Sequence, residues 1–262
     1  MRNDPLPQTQ RRSGGLCLRF APGERPGPDA IAACAATAVQ TAGFTISHRP
    51  SDQPRWLELL VLGLPFDLEG LAPGMASATP MPAHGIAFCL EDSRKLEVLT
   101  VRPASHWMAG TRLMPVVRAL VALGCTLVDL PGLRAIGWEP ARTVMTPDYW
   151  RRVMTAWLQG GAFPSLGLAA MSRTDGGTVE SEELRLFLGR EVRIAPAAGE
   201  AWVDTARFAV RVFHDLVERG LYPPDSVTGP SGLALQCDYL PNSGPLWIRR
   251  SDGGTAASAD LT

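Results

Sequence analysis

The alternation of hydrophobic and polar residues along the chain predicts both strands and helices. Short apolar or alternating stretches typical of strands occur at 16–20, 44–48 and 56–62. Apolar residues recur every three or four positions in segments that begin near Pro28, Thr111, Thr146 and Ala201. The two kinds of segment together predict an α+β fold, with a mixed or antiparallel sheet packed with about four helices.

The segment after Thr146 gives the strongest helix signal. Threonine can cap a helix with its side chain, and Pro147 suits the first helical position, where no amide partner is lost. One apolar stripe follows at helical spacing: Trp150, Val153, Met154, Trp157 and Leu158.

Several local predictions complete the pattern. Residues 63–82 are rich in glycine and proline and predict a loop. We further expect a hairpin of 85–90 with 96–101, strands at 125–130, 164–171 and 191–194, a short helix within 181–187, and a hairpin of 233–239 with 246–249.

The order of elements suggests how the chain is organised. The β-α-β-β order of residues 16–62 is typical of ferredoxin-like units. Residues 1–14 and 251–262 have little to bury and predict disordered tails. We therefore expect one compact domain from 15 to 250, with a subdivision near 103–110 as the alternative.

Charge and cysteine usage narrow the classes of partner. The net charge of −1 and the lack of any basic block argue against a nucleic-acid-binding surface. Lys95 is the only lysine, and this preference for arginine is typical of GC-rich bacterial genomes. The five cysteines are scattered without a C-x-x-C pair, which favours a reducing compartment over disulfides or zinc.

No apolar segment approaches the roughly 20 residues needed to cross a membrane, and no signal peptide begins the chain. We expect a cytoplasmic protein with no membrane association. No nucleotide-binding glycine motif or metal-ligand spacing occurs, so no cofactor or metal is predicted.

One candidate catalytic set can be assembled from the sequence. Asp67 and Glu69 stand two residues apart in the predicted loop, where paired carboxylates could face a substrate. His84 could join them as an acid or base if the fold brings all three together. A hydrolase using these residues is therefore one hypothesis, and a purely structural turn is its alternative.

A second candidate site is the segment that follows the Pro131-Gly132 turn. Trp138, Glu139 and Arg142 combine an aromatic ring with charged groups, a composition typical of interface hot spots. The alternative is that Trp138 anchors the loop to the core, since a buried tryptophan needs no ligand.

Four short motifs within 118–194 carry a family resemblance: Trp138-Glu-Pro-Ala141, Thr146-Pro147, the Trp157 to Pro164 segment and Thr174-Asp-Gly-Gly177. With these motifs the chain resembles a bacterial domain-of-unknown-function family. The resemblance implies an α+β fold and bacterial origin, and it implies no activity or catalytic residues.

Three functions remain open at this point. We favour a protein without catalytic activity that binds another protein, such as an accessory, adaptor or immunity-type factor. A hydrolase and a structural assembly subunit are the alternatives, and the sequence leaves the oligomeric state open.

Overall fold

The computed structural model describes residues 14–37, 43–51, 55–105, 113–219, 227–228, 234–239 and 244–250. The chain forms two compact units, residues 1–168 and residues 169–262. The sequence indicated a subdivision near 103–110 as the alternative to a single body. In the structure Ala104 instead continues the first unit, because its N–H donates to the carbonyl oxygen of Pro65 at 3.0 Å. The predicted tails lie outside the described residues, apart from Gly14.

An eight-stranded sheet forms the centre of the first unit. Its strands are β1 (Leu16–Phe20), β2 (Phe44–His48), β3 (Trp56–Val61), β4 (Leu64–Glu69), β5 (His84–Ile86), β6 (Glu97–Pro103), β7 (Leu133–Trp138) and β8 (Thr143–Met145). They lie in the order β2-β3-β4-β6-β1-β7-β8-β5, so β2 and β5 are the edge strands. Only the β5–β8 pair is parallel. Along the chain, β1, α1, β2 and β3 follow one another in the expected β-α-β-β order. In the sheet, however, β4 and β6 lie between β3 and β1.

Helices pack against one face of this sheet. They are α1 (Pro28–Thr37), α2 (Met114–Leu127), α3 (Pro147–Leu158) and the short α4 (Ser165–Leu168). The N-terminus of α3 is capped as expected, because Tyr149 N–H donates to Thr146 Oγ1 at 3.4 Å. The core between helices and sheet contains fully buried large side chains, among them Leu16, Phe20, Phe66, Trp138 and Trp150.

The opposite face of the sheet, here called the open face because these four helices do not cover it, carries the alternate residues of each strand. Its central side chains, Cys17, Arg19 and Thr100, are nevertheless buried. Cys17 and Arg19 of β1 lie on it beside Thr100 and Arg102 of β6. Residues 70–83, here called the strap, extend from the end of β4 to the start of β5. The strap is held to β6, because Ser77 N–H donates to the carbonyl oxygen of Val98 at 2.8 Å.

The second unit contains a six-stranded sheet and one long helix. Its elements are β9 (Ala170–Arg173), β10 (Val179–Glu182), α5 (Arg185–Leu188), β11 (Val192–Ile194), α6 (Trp202–Arg219), β12 (Val227–Thr228), β13 (Ala234–Tyr239) and β14 (Leu246–Arg250). The strand order is β12-β13-β14-β11-β10-β9. Glu200, just before α6, accepts hydrogen bonds from Thr205 Oγ1 and from Nη1 of Arg250, which ties β14 to this helix.

The α+β fold is confirmed, and the four long predicted helices correspond to α1, α2, α3 and α6. Thr111, the expected start of α2, lies outside the described residues. The C-terminal hairpin is also confirmed, because β13 pairs with β14.

Four local predictions are wrong. Residues 125–130 continue α2 and its terminal turn, and 165–168 form α4 instead of a strand. The predicted hairpin of 85–90 with 96–101 does not form, because β5 pairs with β8 while β6 pairs with β1 and β4. The predicted loop contains strand β4 in its first third.

Candidate functional site

Asp67 and Glu69 lie on a strand and not in a loop. Both belong to β4, two residues apart, so their side chains share the open face. They line a cleft of about 580 Å³ with Arg55, Trp56, Gly70, Met75, Ala76, Ser77 and Ser105. Asp67 Oδ2 accepts a hydrogen bond from the backbone N–H of Ser105 at 3.3 Å, and Glu69 Oε2 lies 3.9 Å from Nη1 of Arg102. Each carboxylate therefore already has a polar partner, a backbone amide for Asp67 and a guanidinium for Glu69.

His84 is not brought to this cleft. It belongs to β5 at one edge of the sheet, and β6, β1, β7 and β8 separate it from β4. At about 4.8 Å per strand, the separation across the sheet is roughly 24 Å. The acid–base set of Asp67, Glu69 and His84 is therefore not assembled, and the hydrolase hypothesis loses its histidine.

Trp138 is the last residue of β7 and is 0% exposed. Because Trp138 pairs with Leu16 and Ile136 points the same way, its ring lies on the helix-covered face of the sheet. The ring packs against Gly14, where an added Cβ would lie 3.2 Å from Cη2. The indole anchors the β7–β8 loop to the core and does not face a partner, as the alternative reading of this segment expected.

Glu139 and Arg142 make structural contacts on either side of that loop. Glu139 accepts two hydrogen bonds from the Arg102 guanidinium, at 2.9 Å and 2.8 Å, and its side chain is only 10% exposed. Arg142 is exposed and adopts a positive φ of 52°. Its Nε donates to the carbonyl oxygen of Met81, and its own carbonyl oxygen accepts from Ala83 N–H, so it holds the end of the strap.

Cys17 and Arg19 form a polar pair at the centre of the open face, and no sequence motif indicated it. Burial raises the pKa of the Cys17 thiol to about 12, with a smaller contribution from the negative charge of Glu139. Burial also lowers the pKa of Arg19, and Nε of this residue has no hydrogen-bond acceptor. A thiol with such a pKa is neutral near pH 7 and is a poor nucleophile. The pair therefore lacks a cysteine nucleophile.

Thiol labelling should reflect these environments. Cys89 is exposed, Cys34, Cys125 and Cys237 are partly buried with pKa values raised by burial, and Cys17 is 5% exposed. We expect iodoacetamide at pH 8 to modify Cys89 first and Cys17 only as the fold opens, because the thiolate is the reactive form. Mass spectrometry of timed samples would measure the order. Fast labelling of Cys17 in the folded protein would contradict its burial.

The hairpin between β3 and β4 presents an unusual tip. Val61 pairs with Leu64, so Leu62 and Gly63 form a two-residue loop. Their φ angles of 51° and 80° are both positive, as a type I′ turn requires, and this turn favours asparagine followed by glycine. Leu62 is nevertheless 78% exposed, and Leu60 nearby is 36% exposed. Leucine is unfavourable at this position both for its backbone and for its exposed side chain.

A groove between α1, α2 and α3 has a volume of about 780 Å³. It is lined by Cys34, Thr37, Ala122, Cys125, Thr126, Asp129, Arg151, Thr155, Leu158 and Gln159. An ion pair between Arg151 and Asp129 forms part of its wall. The mixture of methyl groups and neutral thiols makes the groove suitable for a small apolar molecule.

Within the described parts of the chain, no group of three or more His, Cys, Asp or Glu side chains could hold a metal ion. Among the helices that the structure describes, none is long and apolar enough to cross a membrane. Comparison with protein-family models, with curated proteins and with solved structures finds no match to this chain. The family resemblance of residues 118–194 therefore stays a prediction.

Proposed function

We propose that this chain is a protein-binding accessory or adaptor factor of the bacterial cytoplasm, and that its partner docks on the β3–β4 hairpin and the neighbouring edge strand β2. The observation that supports this proposal is Leu62, an exposed leucine held at a positive φ in a turn that favours asparagine. A residue that is unfavourable in the free protein is explained if a partner covers it.

The edge strand provides the second half of the docking surface. No described strand pairs with the outer side of β2, which leaves backbone N–H and C=O groups free to accept another strand. Phe44, at the start of β2, pairs with Val61, the residue directly before Leu62. An extended partner segment added to β2 would therefore run past the hairpin tip and could cover the leucine.

Replacing Leu62 with asparagine should separate binding from folding. We expect L62N to raise the free energy of unfolding by roughly 0.5–1 kcal/mol, because asparagine tolerates a positive φ better than leucine does. We expect the same variant to weaken partner binding by roughly tenfold or more, since it removes the apolar anchor. Urea denaturation measures the first effect, and quantitative mass spectrometry of affinity-purified complexes from the native lysate measures the second.

The matched control is L166N. Leu166 is 40% exposed and belongs to α4, which contacts β7 and β8, and β6 and β1 separate these strands from the hairpin strand β4. Wild-type protein and L166N should retain the same stoichiometric partner, which L62N should lose. A partner retained by all three proteins would contradict the docking surface. A dimer of the purified chain that L62N dissociates would replace the adaptor with self-association.

A further inference from the structure

We propose that Arg19 binds an oxyanion group, a carboxylate or a phosphate, on the open face of the eight-stranded sheet. This site is separate from the hairpin tip and does not depend on the proposed protein partner. Arg19 lies on β1, the strand between β6 and β7 near the middle of the sheet, and is 4% exposed. It is the one charged residue in the buried strand Leu16–Phe20, whose other members are three apolar residues and Cys17.

The described residues supply no counter-ion to this guanidinium. Its Nε is buried without an acceptor, and the structure shows no ion pair between Arg19 and a described carboxylate. Two partly buried arginines of the first unit, Arg25 and Arg102, do have a carboxylate partner. Nε of Arg25 lies 2.8 Å from Glu97 Oε2, and Arg102 binds Glu139 through two hydrogen bonds. Arg19 alone of these three lacks a carboxylate partner within the described residues.

The neighbours of Arg19 on the same face do not balance its charge. Val98 of β6 and Ala135 of β7 are its cross-strand partners, and both are apolar. Cys17, two residues along β1, is a neutral thiol because burial raises its pKa to about 12. The positions that face Arg19 on the two adjacent strands therefore carry no negative charge.

A planar guanidinium presents paired N–H donors whose spacing matches the oxygens of a carboxylate or phosphate. Burying a charge without a partner is strongly unfavourable, and a bound anion would remove that cost. Arg19 keeps a small exposed area, so the group is not completely sealed from solvent. An oxyanion on a small metabolite or on a peptide would satisfy the same geometry, and the shared chemistry is the carboxylate or phosphate group.

The test uses inorganic phosphate and acetate as probes, with ionic strength held constant by sodium chloride. We expect one or both probes to raise the melting temperature of the full-length protein in a saturable way. Phosphate acting alone would identify a phosphoryl ligand, and acetate acting alone a carboxylate ligand. In R19M the shift should disappear, with affinity lowered roughly 10-fold to 100-fold in calorimetric titrations.

Two further variants keep this test decisive. R134M removes an exposed arginine from the adjacent strand β7, where its Nη2 lies 3.5 Å from Glu24, and should keep the full shift. R19K keeps the positive charge but lacks the paired N–H donors. This variant should fold, and it should bind the anion probe more weakly than the wild-type protein does.

Without any anion, R19M should melt at the same temperature as the wild type or higher, because methionine removes an unpaired buried charge. A large fall in the melting temperature of R19M would show that Arg19 has a structural role and would overturn the proposal. The absence of a saturable effect of either probe on the wild-type protein would also overturn it.

Discussion

Replacing Trp138 with alanine is expected to lower the free energy of unfolding by about 3–5 kcal/mol. The side chain is 0% exposed and lies on the helix-covered face of the sheet, so its removal leaves a cavity that β7 cannot close without moving. Urea denaturation followed by circular dichroism would measure the change. A loss below about 1 kcal/mol would contradict the burial of this ring.

Trp138→Phe is the matched control for this substitution. It keeps most of the ring and removes an indole N–H that has no acceptor among the described residues. We expect it to cost less than about 1.5 kcal/mol. The comparison matters for any binding assay, because a partner lost in the alanine variant would report a damaged fold. The hairpin variant L62N avoids this ambiguity, since its expected effect on stability has the opposite sign.

The sequence predicted the fold class well because hydrophobic periodicity is a local property. The errors arose where tertiary contacts determine local structure. The predicted strand at 125–130 requires the preceding helix to end by Gly124, yet α2 continues to Leu127. An added Cβ at Gly124 would lie 2.9 Å from Leu16 Cδ1 and 3.0 Å from Trp150 Cζ2. This glycine is explained by close packing between helix, sheet and neighbouring helix, which no local pattern reveals.

Proline caused a second error. Pro65 suggested a loop, because proline removes a backbone donor from a sheet. In the two-residue hairpin, however, Pro65 faces Leu60 at a position that forms no hydrogen bond with β3. Its pairing with β6 begins one residue later, at Phe66. The proline therefore fits a strand that the sequence pattern excluded.

The candidate sites were less predictable than the fold. Asp67 and Glu69 do share a cleft, but strand order places His84 at the edge of the sheet, and strand order cannot be read from spacing. The signals for Leu62 and Arg19 were present in the sequence: a Leu-Gly pair between alternating residues, and one arginine within an apolar strand. Their meaning depends on exposure at the tip and on the lack of a counter-ion, which only the fold shows.

The Arg102–Glu139 pair should contribute strongly to the stability of the first unit. Removing Glu139 leaves the Arg102 guanidinium with Glu69 at 3.9 Å and Thr100 at 3.4 Å as its nearest polar partners. We expect Glu139→Ala to lower the free energy of unfolding by roughly 2–4 kcal/mol, because one member of a largely buried pair loses its counter-charge. Chemical denaturation of Glu139→Ala, of the single variants R102M and E139L, and of the double variant R102M/E139L would measure this.

The double variant decides between two explanations of the loss. If the pair matters because an unpaired charge is costly, replacing both residues with apolar ones should restore most of the stability. If the double variant is as unstable as the sum of the singles, specific packing of these side chains is responsible.

Glu139 and Arg19 both act electrostatically on Cys17, so removing Glu139 also makes the open face more positive. The same change frees the Arg102 guanidinium. If Arg19 holds an oxyanion, phosphate or acetate should therefore stabilise Glu139→Ala more than the wild-type protein at the same ionic strength, and R19M/E139A should lose this added stabilisation.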